Sequence, residues 1–280
     1  MPLLLLVAGL AAAAGPPGTL VRYEVVEATR ATTPAGPRET ALAGTVSAAF
    51  GKARWDLSAS RLPGVAARSA LADAGALVLL DPESKSAAYV TREEFAGLFQ
   101  APAGPEGMAA ADLRDLRATV AREGSGTPFE GMATIRWAVS CSFTLVSALP
   151  GRVVRVKHEL SGTIDAVDEL AFARTPFDDL LRLFRVRGAA REALAAGLSS
   201  VTGLPVRVRL DAASEATGEA VGAGDAPALQ PLKSSTTTTR TLSALVRRPA
   251  ADADAPLFTV PDSYRSIPLE RLRTGGSPLP

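Results

Sequence analysis

Residues 135–164 read IRWAVSCSFTLVSALPGRVVRVKHELSGTI, and this stretch decides the fold. Apolar side chains recur at every second position on both sides of the turn signal Leu149-Pro150-Gly151. Alternation with a period of two is typical of strands that bury one face and expose the other. Two such strands around a tight turn predict an antiparallel hairpin. Its apolar face comprises Ile135, Trp137, Val139, Cys141, Phe143 and Leu145, then Val154, Val156, His158, Leu160 and Ile164.

The same alternation occurs along much of the chain from Thr19 onward. The segments GALVLLD and KSAAYVT flank the turn residues at 81–84 and predict a second hairpin. Three further segments, TLVRYEVVE, KARWDLS and LPVRVRL, each place their apolar residues on one face. The pattern predicts an α+β fold that is mostly β, with an antiparallel sheet. The three faces comprise Val21, Tyr23 and Val25, then Ala53, Trp55 and Leu57, then Leu204, Val206, Val208 and Leu210.

Helical signals are fewer and fall in two places. Thr91 can cap a short helix through residues 92–99, and Thr175 with Pro176 can start a helix through PFDDLLRLF. The segment AAREALAAGL follows and is expected to end near Gly197. We interpret Asp178 and Asp179 as acidic residues of a first helical turn, and not as an acid and base pair. These helices are expected to cover the concave face of a curved sheet.

Residues 15–272 are expected to form a single domain. The stretch 213–231 is rich in Ala, Gly, Ser and Pro, and predicts a flexible loop between strands. The segment KSSTTTTRTLSALV after it carries Thr in place of large apolar residues, which favours an exposed or edge strand. The tail at 273–280 is expected to be disordered.

The first fourteen residues resemble a secretory signal peptide. The apolar run from Leu3 to Ala14 is short for a membrane span, and it ends in small residues before Gly15, Pro16 and Pro17. The positively charged region that normally precedes such a run is missing. The alternative is a buried apolar strand or helix. We favour export and cleavage near residue 15, which predicts a periplasmic protein without a transmembrane segment.

Composition excludes several classes of function. The formal net charge is +1, and no basic run indicates a nucleic-acid partner. Cys141 is the only cysteine, so an intramolecular disulfide and a cysteine metal cluster are excluded; a small core residue is favoured over a reactive thiol. His158 is the only histidine, which excludes paired-histidine zinc sites and leaves one possible base for a hydrolase. It shares a strand face with apolar residues, so a buried, hydrogen-bonded core histidine is favoured. No nucleophile elbow or phosphate loop occurs, so we predict no enzyme, no metal and no cofactor.

Several segments together resemble the LolA-like group of bacterial periplasmic proteins, which includes the lipoprotein carriers and uncharacterised envelope proteins. They are the exported N-terminus, the first strand TLVRYEVVE, the hairpin GALVLLDPESKSAAYV, the segment GLPVRVRL and the threonine-rich strand. The closing element LFTVPDSYRSIPL, with Phe258, Val260, Pro261 and Tyr264, is the most specific of them.

The resemblance implies a half-barrel, in which a strongly curved antiparallel sheet wraps over a few helices and leaves a hydrophobic cavity. In the carriers this cavity takes up lipoprotein acyl chains. The predicted function is therefore non-catalytic binding of a lipid or lipoprotein. Two alternatives remain: a structural or protein-interaction component of the envelope with a closed core, and a hydrolase that uses His158. The candidate cavity residues are Tyr23, Trp55, Trp137 and Phe143.

Overall fold

The computed structural model describes residues 18–58, 60–73, 75–99, 111–149, 152–220 and 229–273. Twelve strands, four short α-helices and three 3-10 segments occur within these ranges. The strands form one open, curled sheet with few helices, which confirms the mostly β fold predicted from the alternation. The predicted signal peptide, 1–14, and residues 274–280 of the predicted tail lie outside the described residues.

The first half of the sheet is a meander of six strands, each antiparallel to the one before it. A two-residue strand near the C-terminus pairs in parallel with its last member, which is the one departure from antiparallel order. The strands are β1 Thr19–Thr33, β2 Gly36–Ala49, β3 Lys52–Leu57, β4 Ser69–Asp73, β5 Ala76–Asp81 and β6 Ser86–Val90, with the added strand Arg265–Ser266, which we number β12.

The second half is a meander of five long strands, and it contains the hairpin predicted from residues 135–164. Its last strand pairs with β1, so the two halves of the sheet join between β1 and β11. These strands are β7 Asp112–Ser125, β8 Ile135–Leu149, β9 Arg152–Val167, β10 Leu204–Ala220 and β11 Leu229–Pro249.

Two sequence predictions about β10 and β11 are wrong. Residues 213–220 belong to β10 and not to a loop, because β9 pairs with each of them, and residues 229–231 begin β11. Residues 221–228 of the predicted loop lie outside the described residues. The threonine-rich strand β11 lies between β1 and β10 and is not an edge strand. Thr is β-branched and suits an interior strand, and Thr238 lies directly opposite Thr29 with their hydroxyl oxygens 3.3 Å apart.

Both predicted caps are present, because Thr91 and Thr175 each form a complete capping box. Helix α1, Arg92–Gly97, begins at Thr91 with a complete capping box, and helix α3, Gly188–Leu198, ends close to the predicted position. The predicted helix PFDDLLRLF is broken into a 3-10 turn, Pro176–Asp178, and helix α2, Leu181–Phe184. The break falls at Asp179, whose ψ of 108° is extended.

The C-terminal segment crosses the sheet after β11. It forms a 3-10 turn, Asp252–Phe258, then β12 and the short helix α4, Leu269–Leu272. Arg273 forms an isolated bridge with Val65, so the ordered chain extends one residue into the predicted tail.

The inner face of the sheet carries two apolar clusters. The larger cluster joins β1–β6 to α1, α4 and the turn at 176–178, and it contains Tyr23 and Trp55. The smaller cluster joins β8–β10 to α2 and α3, and Trp137 and Phe143 pack against it. Gly197 allows α3 to lie close to β7, because a Cβ there would stand 2.7 Å from a methyl of Val120.

Strand β7 forms one edge of the sheet, and its pairing with β8 is interrupted twice. Register shifts occur between Arg114 and Arg117 and between Arg122 and Gly124. Asp115, inside the first shift, has a φ of 54°, which is rare for a residue with a side chain. These bulges bend the edge strand away from a regular ladder.

Candidate functional site

A cavity of about 420 Å³ lies on the inner face of the sheet, beyond the larger apolar cluster. Strands β1, β2 and β11 form its floor, and residues 60–65, Phe99 and the region of α2 surround it. Its position follows from β1, where the inward positions change from Val21, Tyr23 and Val25 to Glu27 and then Thr29. The apolar core therefore ends at Glu27, and the cavity begins there.

The wall of the cavity is mainly apolar, with polar groups at defined positions. Small-ligand sites in proteins generally have this composition. The hydroxyl groups come from Thr29, Thr40, Ser60 and Thr238, and the charged groups from Glu27, Arg61, Arg182 and Arg185. The larger apolar members are Leu42, Leu62, Pro63, Val65, Phe99 and Leu183.

A buried ion pair closes the inner end of the cavity. Arg182, on α2, donates to both carboxylate oxygens of Glu27, on β1. The same guanidinium donates to the carbonyl oxygen of Phe177 at 2.8 Å, and it lies over the rings of Trp55 and Phe99 at 5.2 and 4.9 Å from their centroids. A buried charge is tolerated when it is paired and hydrogen-bonded, and Arg182 is both.

The ion pair continues into a second one behind it. Arg240, on β11, donates to Glu27 at 3.1 Å and also to Asp178. Burial alone would lower the pKa of Arg240, but Asp178 and Glu27 outweigh it and raise that pKa. Two arginines thus balance two carboxylates in a quartet of buried charges: Glu27, Asp178, Arg182 and Arg240.

Asp178 connects the quartet to the local chain. Its second oxygen accepts from the backbone N–H and the hydroxyl of Thr175, both at 2.8 Å, and from the hydroxyl of Tyr23 at 2.7 Å. Burial, followed by the neighbouring Asp178 charge, raises the pKa of Tyr23 well above its ordinary value. Asp178 caps a turn as predicted, but its burial and its pairing with Arg240 were missed.

Arg185 differs from the other charged groups of the wall. It follows α2 in the left-handed conformation, with a φ of 53°. Within the part of the chain that the structure describes, it makes no hydrogen bond or ion pair. Burial lowers the pKa of its guanidinium. By contrast, Arg61 donates to a carboxylate oxygen of Glu83 at 2.6 Å.

The four candidate cavity residues lie in two separate places. Tyr23 and Trp55 are fully buried in the larger cluster, and Trp137 and Phe143 are half-buried against the smaller one. None of the four is in the wall of the 420 Å³ cavity. A ligand contact for them stays a prediction. Glu27 was missed, although its spacing from Tyr23 and Val25 placed it on the inward face.

His158 and Cys141 lie away from this cavity. The imidazole Nδ1 of His158 is 2.8 Å from the hydroxyl oxygen of Ser214, and its ring stacks on Phe143 with centroids 4.7 Å apart. Burial lowers the pKa of His158, so the neutral ring is favoured. The hydrogen-bonded histidine agrees with the sequence analysis, although it is half-buried and not fully buried. Cys141 is buried as expected, and burial raises the pKa of its thiol.

No group of three or more His, Cys, Asp and Glu side chains among the described residues is placed to hold a metal ion. None of the helices within the described ranges is long and apolar enough to cross a membrane.

No protein-family model matches the chain, and no curated protein matches it. One solved structure, described as an outer membrane lipoprotein-sorting protein domain from Vibrio parahaemolyticus, matches over 87% of this chain and 91% of its own. The identity is 9% and the TM-score is 0.25. At those values the likeness carries no argument about function.

Proposed function

We propose that this chain is an exported envelope protein that binds a hydrophobic ligand, a lipid or a lipoprotein acyl chain, on the inner face of its sheet without catalysis. The observation that carries the proposal is the mainly apolar cavity of about 420 Å³. Ligand sites commonly enclose about 300 to 1,000 Å³ and have mostly apolar walls with a few polar groups. The periplasm is the expected location because of the apolar segment at residues 1–14.

The charged groups near the cavity favour binding over catalysis. Glu27 accepts from two arginines at once, so both of its carboxylate oxygens are already engaged within the protein. His158 faces a hydroxyl group and an aromatic ring, and it is absent from the cavity wall. A hydrolase built on His158 would need a carboxylate to orient the ring, and none of the described carboxylates contacts it.

The first test is native mass spectrometry of the chain purified gently from a membrane-containing extract, followed by organic extraction of any bound molecule. A stoichiometric acyl species supports the proposal. A clean mass with no bound molecule, and no uptake of a fluorescent acyl probe, contradicts it. The second result would favour an interaction protein with a closed core.

A matched pair of variants tests whether the cavity is the site. Thr40 and Thr45 lie on the same strand, but Thr40 is in the cavity wall and Thr45 faces the opposite side of the sheet. Thr40→Trp is expected to fill the cavity and abolish acyl binding, and Thr45→Trp is expected to retain it. Equal binding by the two variants would contradict this location.

Export has its own test. Expression of the full chain in a bacterium, followed by fractionation and intact mass measurement, should yield a periplasmic protein that begins near residue 15. An uncleaved chain in the cytoplasmic fraction would contradict export and would leave the binding test unaffected.

A further inference from the structure

The charges around the cavity do not sum to zero. Glu27 and Asp178 are balanced by Arg182 and Arg240, and all four are buried and bonded to one another. Arg61 is paired with Glu83. Arg185 therefore supplies the one charge of the cavity wall that no described carboxylate neutralises.

A second polar group of the wall also lacks a partner. The hydroxyl oxygen of Ser60 is buried and has no hydrogen-bond partner among the described residues. Buried polar groups are nearly always satisfied, so an unsatisfied one at a cavity wall indicates a position that a bound group would fill. A hydroxyl and a guanidinium can both donate to a single anion.

The remaining wall determines what else the ligand must carry. Leu42, Leu62, Val65, Phe99 and Leu183 offer an apolar surface that a small inorganic anion could not use. A ligand that satisfies both parts of the wall has a hydrocarbon chain and one negatively charged end. The residues just before Arg185 support this arrangement, because Arg182 and Leu183 place one charged and one apolar side chain in the same wall.

We infer that the cavity selects amphiphiles with a single anionic head group, and that Arg185 binds that head group while the apolar wall holds the chain. This inference rests on the proposed function and deepens it, because it assigns a ligand class and a specificity residue to the same cavity. The unpaired, partly buried guanidinium gains a partner only when such a ligand binds. A charge-assisted hydrogen bond in a partly buried site is strong enough to change affinity by about tenfold.

The test compares dodecanoate with dodecanol by isothermal titration calorimetry, using delipidated full chain recovered after export. The chain is expected to bind dodecanoate about tenfold more tightly than dodecanol. Arg185→Gln should remove this preference while dodecanol binding is retained, and Arg185→Lys should keep part of it. Arg30→Gln is the control, since Arg30 is exposed, paired with Glu39 and outside the cavity wall, and it should keep the full preference.

The outcomes separate the inference from the proposed function. If neither ligand binds, the proposed function fails and the inference fails with it. If both ligands bind equally, or if Arg185→Gln keeps the preference, the inference alone fails. If acetate binds as tightly as dodecanoate, the site recognises an anion without a chain, and the inference is also overturned.

Discussion

The two tryptophans lie in halves of the sheet that are covered to different extents. Trp55, in β3, is 1% exposed and packs against Phe99 and Phe177, with ring centroids 6.4 and 5.9 Å away. Trp137, in β8, occupies an equivalent inward position in the second half but is only half-buried. Both strands show the same alternation in the sequence. The difference arises from what covers them, and not from the strands themselves.

The first half is covered by segments that come from several different parts of the chain. Residues 62–67, α1, the turn at 176–178 and α4 all contribute buried side chains to its core. The second half is covered over part of its length by α2 and α3, and the inward side chains beyond them stay half-buried, including Leu113, Leu145 and Val156. Alternation thus predicts which face is apolar, and it does not predict whether that face is closed.

The largest expected effect is the loss of Arg240. Arg240→Met would leave Asp178 without its arginine and Glu27 with only one, at buried positions. Breaking a buried pair from one side costs about 4 kcal/mol, so we expect a loss of this size in the free energy of unfolding, measured by urea denaturation. Arg30→Gln removes an exposed ion pair between β1 and Glu39 of β2, and it should change the free energy of unfolding little. A small loss for Arg240→Met would show that the quartet is not a structural element.

Replacing each tryptophan by alanine tests the comparison directly. Trp55→Ala removes a fully buried ring and is expected to cost about 3 kcal/mol. Trp137→Ala should cost clearly less, because the ring is already partly in contact with solvent. Urea denaturation followed by circular dichroism measures both. Equal losses would mean that the two halves are packed to the same extent in solution.

Substitutions at two glycines test the packing of the strand backbones separately from the segments that cover the sheet. A Cβ at Gly44 would stand 2.3 Å from the carbonyl oxygen of Asp56, and a Cβ at Gly162 would stand 2.2 Å from that of Arg209. Strand backbones approach equally closely in the two halves, so Gly44→Ala and Gly162→Ala should each cost about 2 kcal/mol. Denaturation midpoints provide the measurement. A large loss in only one half would contradict equal strand packing.

The smallest effect concerns His158 in the open half. Burial lowers its pKa from the ordinary value of 6.5, so the folded state binds the proton more weakly than the unfolded state. The stability that this provides is present above pH 6.5 and is lost as the pH falls through the lowered pKa. His158→Gln should therefore show less loss of stability on mild acidification than the parent chain. The measurement is the denaturation midpoint of each chain as the pH falls below 6.5. An equal decrease in the two chains would mean that His158 is solvated in the folded state.

The sequence predicts most of the strands, because a period of two is a local property of the chain. Tyr23, Trp55 and Val208 were all placed on the buried face correctly. The threonine-rich strand was misplaced because its position depends on pairing with β1, which is distant in the sequence. The small residues at 213–220 gave a loop signal that pairing on both sides overrides.

The candidate site was much less predictable. The sequence could have predicted Glu27 as a site residue, because it occupies the next inward position after Val25 on an otherwise apolar strand face. Arg182 gave none, because it lies in a segment that was predicted as one continuous helix and is broken at Asp179. Arg185, which follows that segment, gave none either. The packing of α2 against the strands brings Arg182 to Glu27, and that contact spans 155 residues of sequence. Local patterns carry no information about such a contact.

The edges of the sheet determine how copies of this chain behave toward one another. An exposed edge strand can pair with another chain, and repeated pairing produces aggregates. At one edge, β12 is only two residues long, which leaves little backbone to extend. At the other edge, the register shifts in β7 interrupt the ladder. Pairing of β7 with a second copy would also bring the charged side chains of the two molecules close together. The chain can therefore keep a half-open apolar face without offering neighbouring molecules a template. The charged residues of β7 are Asp112, Arg114, Asp115, Arg117, Arg122 and Glu123.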